Sequence, residues 1–430
     1  MGFLSLLVVA SMPVVEVLLI GLLGAYLAAG RCNILTPTAR ADINRVVYAV
    51  FTPALMLASL ARTVTLPDAI SWWFMPVNIG IIFLIGGVLG WVAVLILKPP
   101  QHLRGLVVAS CSAANFGNLL LIVIPAVCEE DGNPFGSAKS ICTDRGLSYA
   151  SFSMAIGGFY IWTHTYGVMK RSSEIYCRMK KQASITAAAS SCEVDPKDSA
   201  RSEDDQEPCR NDDEEGVILQ SANSVHEKEQ HQTLLLPLLS SYHLKSGRIS
   251  NTNMWEKLKQ GTHQIVEELT APPTVGAVLG LIVGAVPWLK SAFVGNNAPL
   301  RVVDDSLKLL GNGTIPCVTL VLGGNLTKGA RRSTVSPAVV AAIICVRYVI
   351  LPIVGVVVVR AAREIGLLPP DPLYQYVLMI QFALPPAMSI GTMSQLYDVG
   401  QEECSVIFLW TYIVAALALT IWSSIFMSIL

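Results

Sequence analysis

Residues 73–97 of this chain, WFMPVNIGIIFLIGGVLGWVAVLIL, contain no charged side chain. An α-helix rises 1.5 Å per residue, so a run of this length crosses the ~30 Å hydrocarbon layer of a bilayer. Lipid offers the backbone no hydrogen bonds, and a helix satisfies its N–H and C=O groups internally. Comparable apolar runs fall at roughly 6–29, 43–61, 105–127 and 147–168. They resume at roughly 264–289, 306–326, 336–359, 373–396 and 405–428. The pattern predicts an all-α polytopic membrane protein with about ten transmembrane helices, here called spans 1 to 10 in chain order.

Composition agrees. Charged residues make up 14% of the chain, against roughly 25% in a soluble domain. The net charge of −1 excludes a strongly basic nucleic-acid binder, so the lipid bilayer is the expected surrounding and nucleic acid is not a partner. The first apolar run lacks a basic leader and is too long for a cleaved signal peptide, so it reads as a retained span. Between the two sets of spans, residues 169–262 open with Lys170, Arg171, Arg178, Lys180 and Lys181 and then become Ser/Ala-rich and acidic. Such a stretch buries too little apolar surface to fold alone. The expected division is a first five-helix repeat (1–168), a largely disordered acidic loop (169–262) and a second five-helix repeat (263–430).

Lys and Arg near span ends predict orientation. Arg31, Arg40 and Arg45 follow span 1, Lys98 and Arg104 follow span 3, and Lys328, Arg331 and Arg332 follow span 7. With the cluster at 170–181 these share one side, expected to be cytosolic, which places both termini on the luminal or outer side. The ten cysteines show no CxxC or zinc-type spacing, and no metal or cofactor is expected. Cys111, Cys317 and Cys345 lie in apolar runs, where a thiol is a small hydrophobe. Cys128 and Cys142 sit in or beside one polar loop; a disulfide there requires an oxidising compartment and is left open.

The two halves repeat. Pro13 and Gly24 of span 1 correspond to Pro273 and Gly284 of span 6, and FTPALML (51–57) to TIPCVTL (314–320). Pro76 corresponds to Pro337, Asn115-x-Gly117-Asn118 to Ser389-x-Gly391-Thr392, and Ile-Trp-Thr (161–163) to Ile-Trp-Ser (421–423). Two units with an odd number of spans insert with opposite topology, the inverted-repeat plan of many secondary transporters.

Spans 4 and 9 combine Gly and small polar residues with Pro125 in one and Pro385 and Pro386 in the other. Pro removes a backbone hydrogen bond and Gly loosens a helix. Freed backbone groups must then line a cavity or meet protein. Paired breaks point to a transport site, and half-helix N-termini suit an anion such as a carboxylate. Asn115, Asn118, Ser389 and Thr392 are the candidate substrate-binding residues, with helix breaks at Gly117, Pro125, Pro385, Pro386, Gly391, Pro53 and Pro316. The bland alternative is that Pro and Gly serve only helix packing. Glu16 and Arg347 lie within spans. A charge at mid-bilayer costs ~2.5–3.5 kcal/mol or more. Arg347 reads as a counter-ion to an anionic substrate and Glu16 as a proton-coupling group, against a structural pair or snorkelling. His164 sits near a predicted helix end and reads as interfacial. Asn312-Gly-Thr and Asn325-Leu-Thr fit the glycosylation pattern but abut spans. No HExxH, GxSxG or P-loop occurs, so an enzyme is not expected.

ISWWFMPVN (70–78), GLSYASFSMAIGGFYIWT (146–163), LLGNGTIPCVTLVLGGNL (309–326), QFALPPAMSIGTM (381–393) and ECSVIFLWTYIVAALALTIWSSIF (403–426) resemble the PIN-LIKES family of plant membrane proteins. The resemblance implies a fold like that of the PIN auxin efflux carriers and of bile acid:sodium symporters, with crossing broken helices 4 and 9. It also implies location in the endoplasmic reticulum membrane, a homodimer, and intracellular carriage of auxin, indole-3-acetate, by alternating access. Asn115 fits the family's first crossover; Ser389 stands where the usual Pro-Ala-Met-Asn pattern has Asn. Spans 2 and 7, bent at Pro53 and Pro316, would wall the indole ring. The alternatives are a sodium- or proton-coupled symporter of another organic anion, and a non-transporting membrane scaffold or receptor.

Overall fold

The computed structural model describes residues 3–30, 32–129, 134–135, 139–191, 270–295, 298–332 and 335–430. Of these, residues 3–14, 68–69, 118, 122, 183–191 and 327–332 are described by backbone alone. The expected disordered loop beyond residue 191, and the start of span 6, lie outside the described residues. Residues 1–178 and 262–430 form one compact unit in which both apolar halves pack; residues 179–261 form a second, of which 179–191 is described.

The described residues are helical, with no strand beyond one isolated backbone bridge. In the first half α1 is Phe3–Ala28, α2 Pro37–Thr63, α3 Phe74–Leu97, α4 Arg104–Ser112, α5 Asn118–Glu129 and α6 residues 139–191. In the second α7 is Pro272–Ala285, α8 Pro287–Phe293, α9 Arg301–Asn312, α10 Thr314–Arg332, α11 Pro337–Glu364, α12 Pro372–Ile380, α13 Ser389–Leu396 and α14 Gln401–Ile429. Among the described residues α2, α3, α11, α14 and the joined α9–α10 stretch Arg301–Leu326 are long and apolar enough to cross a membrane, and α7 with α8 makes a sixth if counted as one span. Their surfaces agree. In α3, Ile79 and Ile82 are fully buried while Leu84 and Ile96 are 67% and 71% exposed. A helix apolar on both its inner and outer faces requires lipid outside.

Two boundaries differ from expectation. Span 6 ends at Ala285, where the chain bends by 107° into α8. Val286 is extended because it precedes Pro287, whose ring disfavours a helical conformation at the residue before it. Span 5 does not end near residue 168: α6 runs on through a π turn at Ile161–Thr165 to Ser191. The basic cluster 170–181 is therefore helical, because its Lys, Arg, Glu and Met residues are good helix formers with no Pro or Gly among them. His164 consequently lies mid-helix, edge-on to Phe83 at 5.7 Å, and not at a helix end.

The repeat-related Gly24 and Gly284 have equivalent places. A Cβ on Gly24 would strike the Leu320 carbonyl of α10, and one on Gly284 would lie 2.7 Å from the Leu60 carbonyl of α2. Each first helix thus packs backbone to backbone on the second span of the other half. Cys128, at the end of α5, is disulfide-bonded to Cys142 in the first turn of α6 (Cα–Cα 5.6 Å).

Candidate functional site

Spans 4 and 9 are both broken, and the breaks cross. Between α4 and α5 the chain leaves the helix at Ala113–Gly117, and between α12 and α13 it is extended from Leu384 to Ala387 before Met388 turns into α13. The two extended pieces run antiparallel and exchange two backbone bonds: Asn115 N–H to the Pro385 carbonyl (2.8 Å) and Ala387 N–H to the Ala113 carbonyl (3.0 Å). Breaking two helices frees donors and acceptors inside the protein, and each break satisfies part of the other. Pro385 and Pro386 suit this: they lack N–H groups, and residues that precede Pro favour extended backbone. The bridge pairs Ala114 with Pro386, so the symmetry equates Asn115 with Ala387 and not, as the small-residue clusters suggested, with Ser389.

The crossing borders a cavity of about 130 Å³ that opens to the surroundings. Asn115, Gly117, Ser389 and Thr392 line it, with Glu16 of α1, Thr52, Leu55 and Met56 of α2, and Thr314, Ile315 and Val318 of α10. Phe116, Trp162 and Tyr412 supply aromatic surface. The Asn115 amide donates to the Tyr412 hydroxyl (2.8 Å), which donates to the Pro386 carbonyl (3.0 Å). Asn115 Oδ1 accepts from Gly117 N–H at 3.3 Å. The side chain is thereby held by both ends, with one amide hydrogen left to point elsewhere. Two half-helices, α5 and α13, begin here, and the first N–H groups of a helix have no acceptor within it. Asn44 holds α13 from α2 by donating to the Thr392 carbonyl (2.9 Å). Further back Asn78 bonds Gln381 (2.8 Å), which bonds Ser153 (2.7 Å), fixing the start of the second break against α3 and α6.

Several candidates take other positions. Asn118 opens α5, but its side chain is outside the described residues. Pro125 is not at a break: it lies inside the continuous α5, about two turns after its start, where neighbouring packing tolerates it. Gly391 is within α13, and a Cβ there would lie 2.5 Å from Leu322 of α10, so its smallness serves packing. Pro53 and Pro316 do not break their spans. A π turn, Val47–Phe51, absorbs the first, and the second sits in the first turn of α10, where no N–H is needed. Neither lines the cavity, although their neighbours Thr52 and Ile315 do.

The two intramembrane charges part company. Glu16 lines the cavity and has no ion-pair or hydrogen-bond partner among the described residues; Arg347 does not line it. Arg347 is fully buried in a π turn of α11, and its Nε donates to the Ser110 carbonyl at 2.9 Å. It is therefore not a contact counter-ion, and the two do not pair. Tyr412 was missed from sequence, since a tyrosine within the apolar run of span 10 carries no signal that it faces the crossing. Among the described residues no group of His, Cys, Asp and Glu could hold a metal.

Residues 9–423 match the family model described as membrane transport protein. The chain is 51% identical over 431 residues to protein PIN-LIKES 7 of Arabidopsis thaliana and 52% over 430 residues to PIN-LIKES 5 of the same plant, each over the full length of both chains. It is 40% identical to PIN-LIKES 1, over 99% of this chain and 80% of that one. A whole-chain match to transport proteins fits the absence of any enzyme motif. With crossed half-helices beside a cavity in a multi-pass helical chain, these likenesses place the protein: it belongs to the membrane transport protein family, among the PIN-LIKES proteins.

Proposed function

We propose that this chain is an intracellular auxin carrier that binds indole-3-acetate at the crossing and works by alternating access in the endoplasmic reticulum membrane. The observation that carries the reading is the polar point made by Asn115 and Tyr412, beside two half-helix starts, in a cavity otherwise walled by aromatic and aliphatic side chains. Such a site suits a small molecule with one carboxylate and one flat apolar ring. The carboxylate meets Asn115, Ser389 and Thr392; the ring lies against Leu55, Met56, Ile315 and Val318. The apolar halves act as inverted five-helix repeats, and the segment from 192 is a cytosolic linker. The Cys128–Cys142 disulfide supports a luminal α5–α6 loop. The polar, basic end of α6 then emerges on the opposite, cytosolic side. A homodimer belongs to the same reading.

The test is uptake of radiolabelled indole-3-acetate into proteoliposomes of the purified protein, with and without a sodium gradient. Saturable uptake without sodium, reduced in Asn115→Ala, is expected. Absence of uptake by folded protein would move the function to another substrate or to a scaffold role. Glu16 favours a second reading, a proton-coupled symporter of an organic anion, because the cavity's one charged lining residue among those described is a carboxylate that an incoming anion would meet.

A further inference from the structure

The most deeply buried charge in the described residues is Arg347, and the proposed function gives it no role. Its side chain is 0% exposed, Nε donates to the Ser110 carbonyl at 2.9 Å, and both Nη1 and Nη2 are buried without a hydrogen-bond partner among the described residues. A guanidinium stays protonated inside proteins, and burying one without a carboxylate is costly. Stability alone does not account for such a residue, since an apolar side chain of similar volume would cost less.

Its position supplies a reason. Ser110 lies in the last turn of α4, and its carbonyl is one that the helix leaves without an internal N–H donor. The C-terminal end of a helix carries partial negative charge, and α4 ends at the crossing, next to the proposed carboxylate site. Left alone, that end would repel an anion. Three residues beyond the Ser110 carbonyl that Arg347 holds, the Ala113 carbonyl accepts from Ala387 N–H in the crossing itself. The charge is thus one layer of protein behind the cavity wall, in surroundings where water does not screen it.

We infer that Arg347 supplies the fixed positive charge that makes the crossing select an anion: it offsets the negative end of α4 and acts on the substrate carboxylate through its field, without touching it. This rests on the proposed reading of the cavity as a carboxylate site. Arg347 is a positioning and specificity-determining residue, and its contribution is to discrimination between an acid and its neutral analogue.

The test is equilibrium binding to purified protein in nanodiscs, with indole-3-acetate and its neutral amide, indole-3-acetamide, as probes. Arg347→Gln retains a donor for the Ser110 carbonyl and removes the charge; Arg347→Lys retains the charge. In Arg347→Gln the acid should bind about tenfold more weakly, a loss of ~1.4 kcal/mol, while the amide is unchanged. Arg347→Lys should keep the preference for the acid. Equal weakening of acid and amide would show a merely structural role and overturn the inference, as would unchanged acid binding. If Arg347→Gln does not fold, the wild-type ratio decides: the acid should be favoured by about tenfold, and equal affinities overturn the inference. Wild-type protein that binds neither probe would remove the indole-acid reading and this inference together, whereas binding of both without discrimination removes this inference alone.

Discussion

Replacing Asn115 separates what the crossing needs to fold from what it needs to bind. The backbone bridge uses Asn115 N–H and the Ala113 carbonyl, which any residue provides. Tyr412 keeps its bond to the Pro386 carbonyl. Asn115→Ala therefore loses one neutral side-chain bond at 2.8 Å and a weaker one at 3.3 Å to Gly117 N–H, which lies beside the cavity. A neutral hydrogen bond contributes roughly 0.5–1.5 kcal/mol, so the protein should still fold. A bond to a charged ligand contributes roughly 1.5–3 kcal/mol, equivalent to about 10- to 150-fold in affinity. Asn115→Ala should raise the Kd for indole-3-acetate within that range. Asn115→Asp, of the same size, places a second carboxylate against the substrate and should abolish saturable uptake. Binding in nanodiscs and uptake in proteoliposomes read both, with thermal unfolding as the control for folding. If Asn115→Asp carried indole-3-acetate at the wild-type rate, the carboxylate could not sit at Asn115, and the orientation proposed for the substrate would be wrong.

Three further outcomes follow from particular contacts. Glu16→Gln should leave binding intact but remove any dependence of uptake on the proton gradient, read as substrate-induced current on a supported membrane; a dependence that survives the change excludes Glu16 as the coupling group. Gly157→Val should impair uptake by displacing Phe116, whose Cγ would lie 2.7 Å from the new Cβ, at an overpacking cost of ~1–3 kcal/mol; wild-type uptake in this variant would mean that the first break tolerates movement. Mass mapping of non-reduced protein should recover Cys128 and Cys142 in one linked peptide pair, and two alkylated thiols there would place the α5–α6 loop in a reducing compartment.

The helical class and the crossed breaks were legible because lipid permits few alternatives. A run such as 73–97 has one plausible structure, and Pro385-Pro386 cannot continue a helix. Gly24 and Gly284 were matched from spacing alone, and both turn out to be close-approach positions on the opposite half. What the residues did not disclose was direction. Pro125 and Pro385 look equally disruptive in a string, but one lies inside a helix whose packing tolerates it and the other in the extended break itself. Arg347 and Glu16 both read as intramembrane charges, and only three-dimensional packing puts one in the cavity and the other behind it. Tyr412 is one aromatic ring in an apolar helix, and its role depends on a partner 297 positions away.

Glycine contacts divide the membrane unit into two groups of helices. Within α1, α2, α7, α9 and α10, added Cβ atoms would meet backbone: Gly276 lies 2.5 Å from the Pro53 carbonyl and Gly311 2.7 Å from Leu55 Cα. Within α3 to α6 and α11 to α14 the same holds for Gly90, 3.0 Å from Val108 Cα, and for Gly86 against the Cys111 carbonyl. The two glycine contacts that cross between the groups meet only flexible side-chain ends, Gly158 at Met56 Sδ and Gly391 at Leu322 Cδ2. Polar bonds that cross among the described residues include single side-chain bonds: Asn44 to the Thr392 carbonyl, Asn325 to Gln395 (3.1 Å) and Thr319 to Met388 Sδ (4.0 Å). Backbone seated against backbone resists sliding, whereas side-chain ends can re-pack. The cavity is lined from both groups, so under alternating access the motion runs along this seam. Cysteines at Gly391 and Leu322, in a background without other free thiols, should form a disulfide on oxidation, since the Gly391 Cβ would lie 3.1 Å from Leu322 Cγ. The oxidised protein should bind indole-3-acetate yet carry none, and reductant should restore uptake. Transport that continued with the two groups covalently joined at this point would rule out relative movement along the seam.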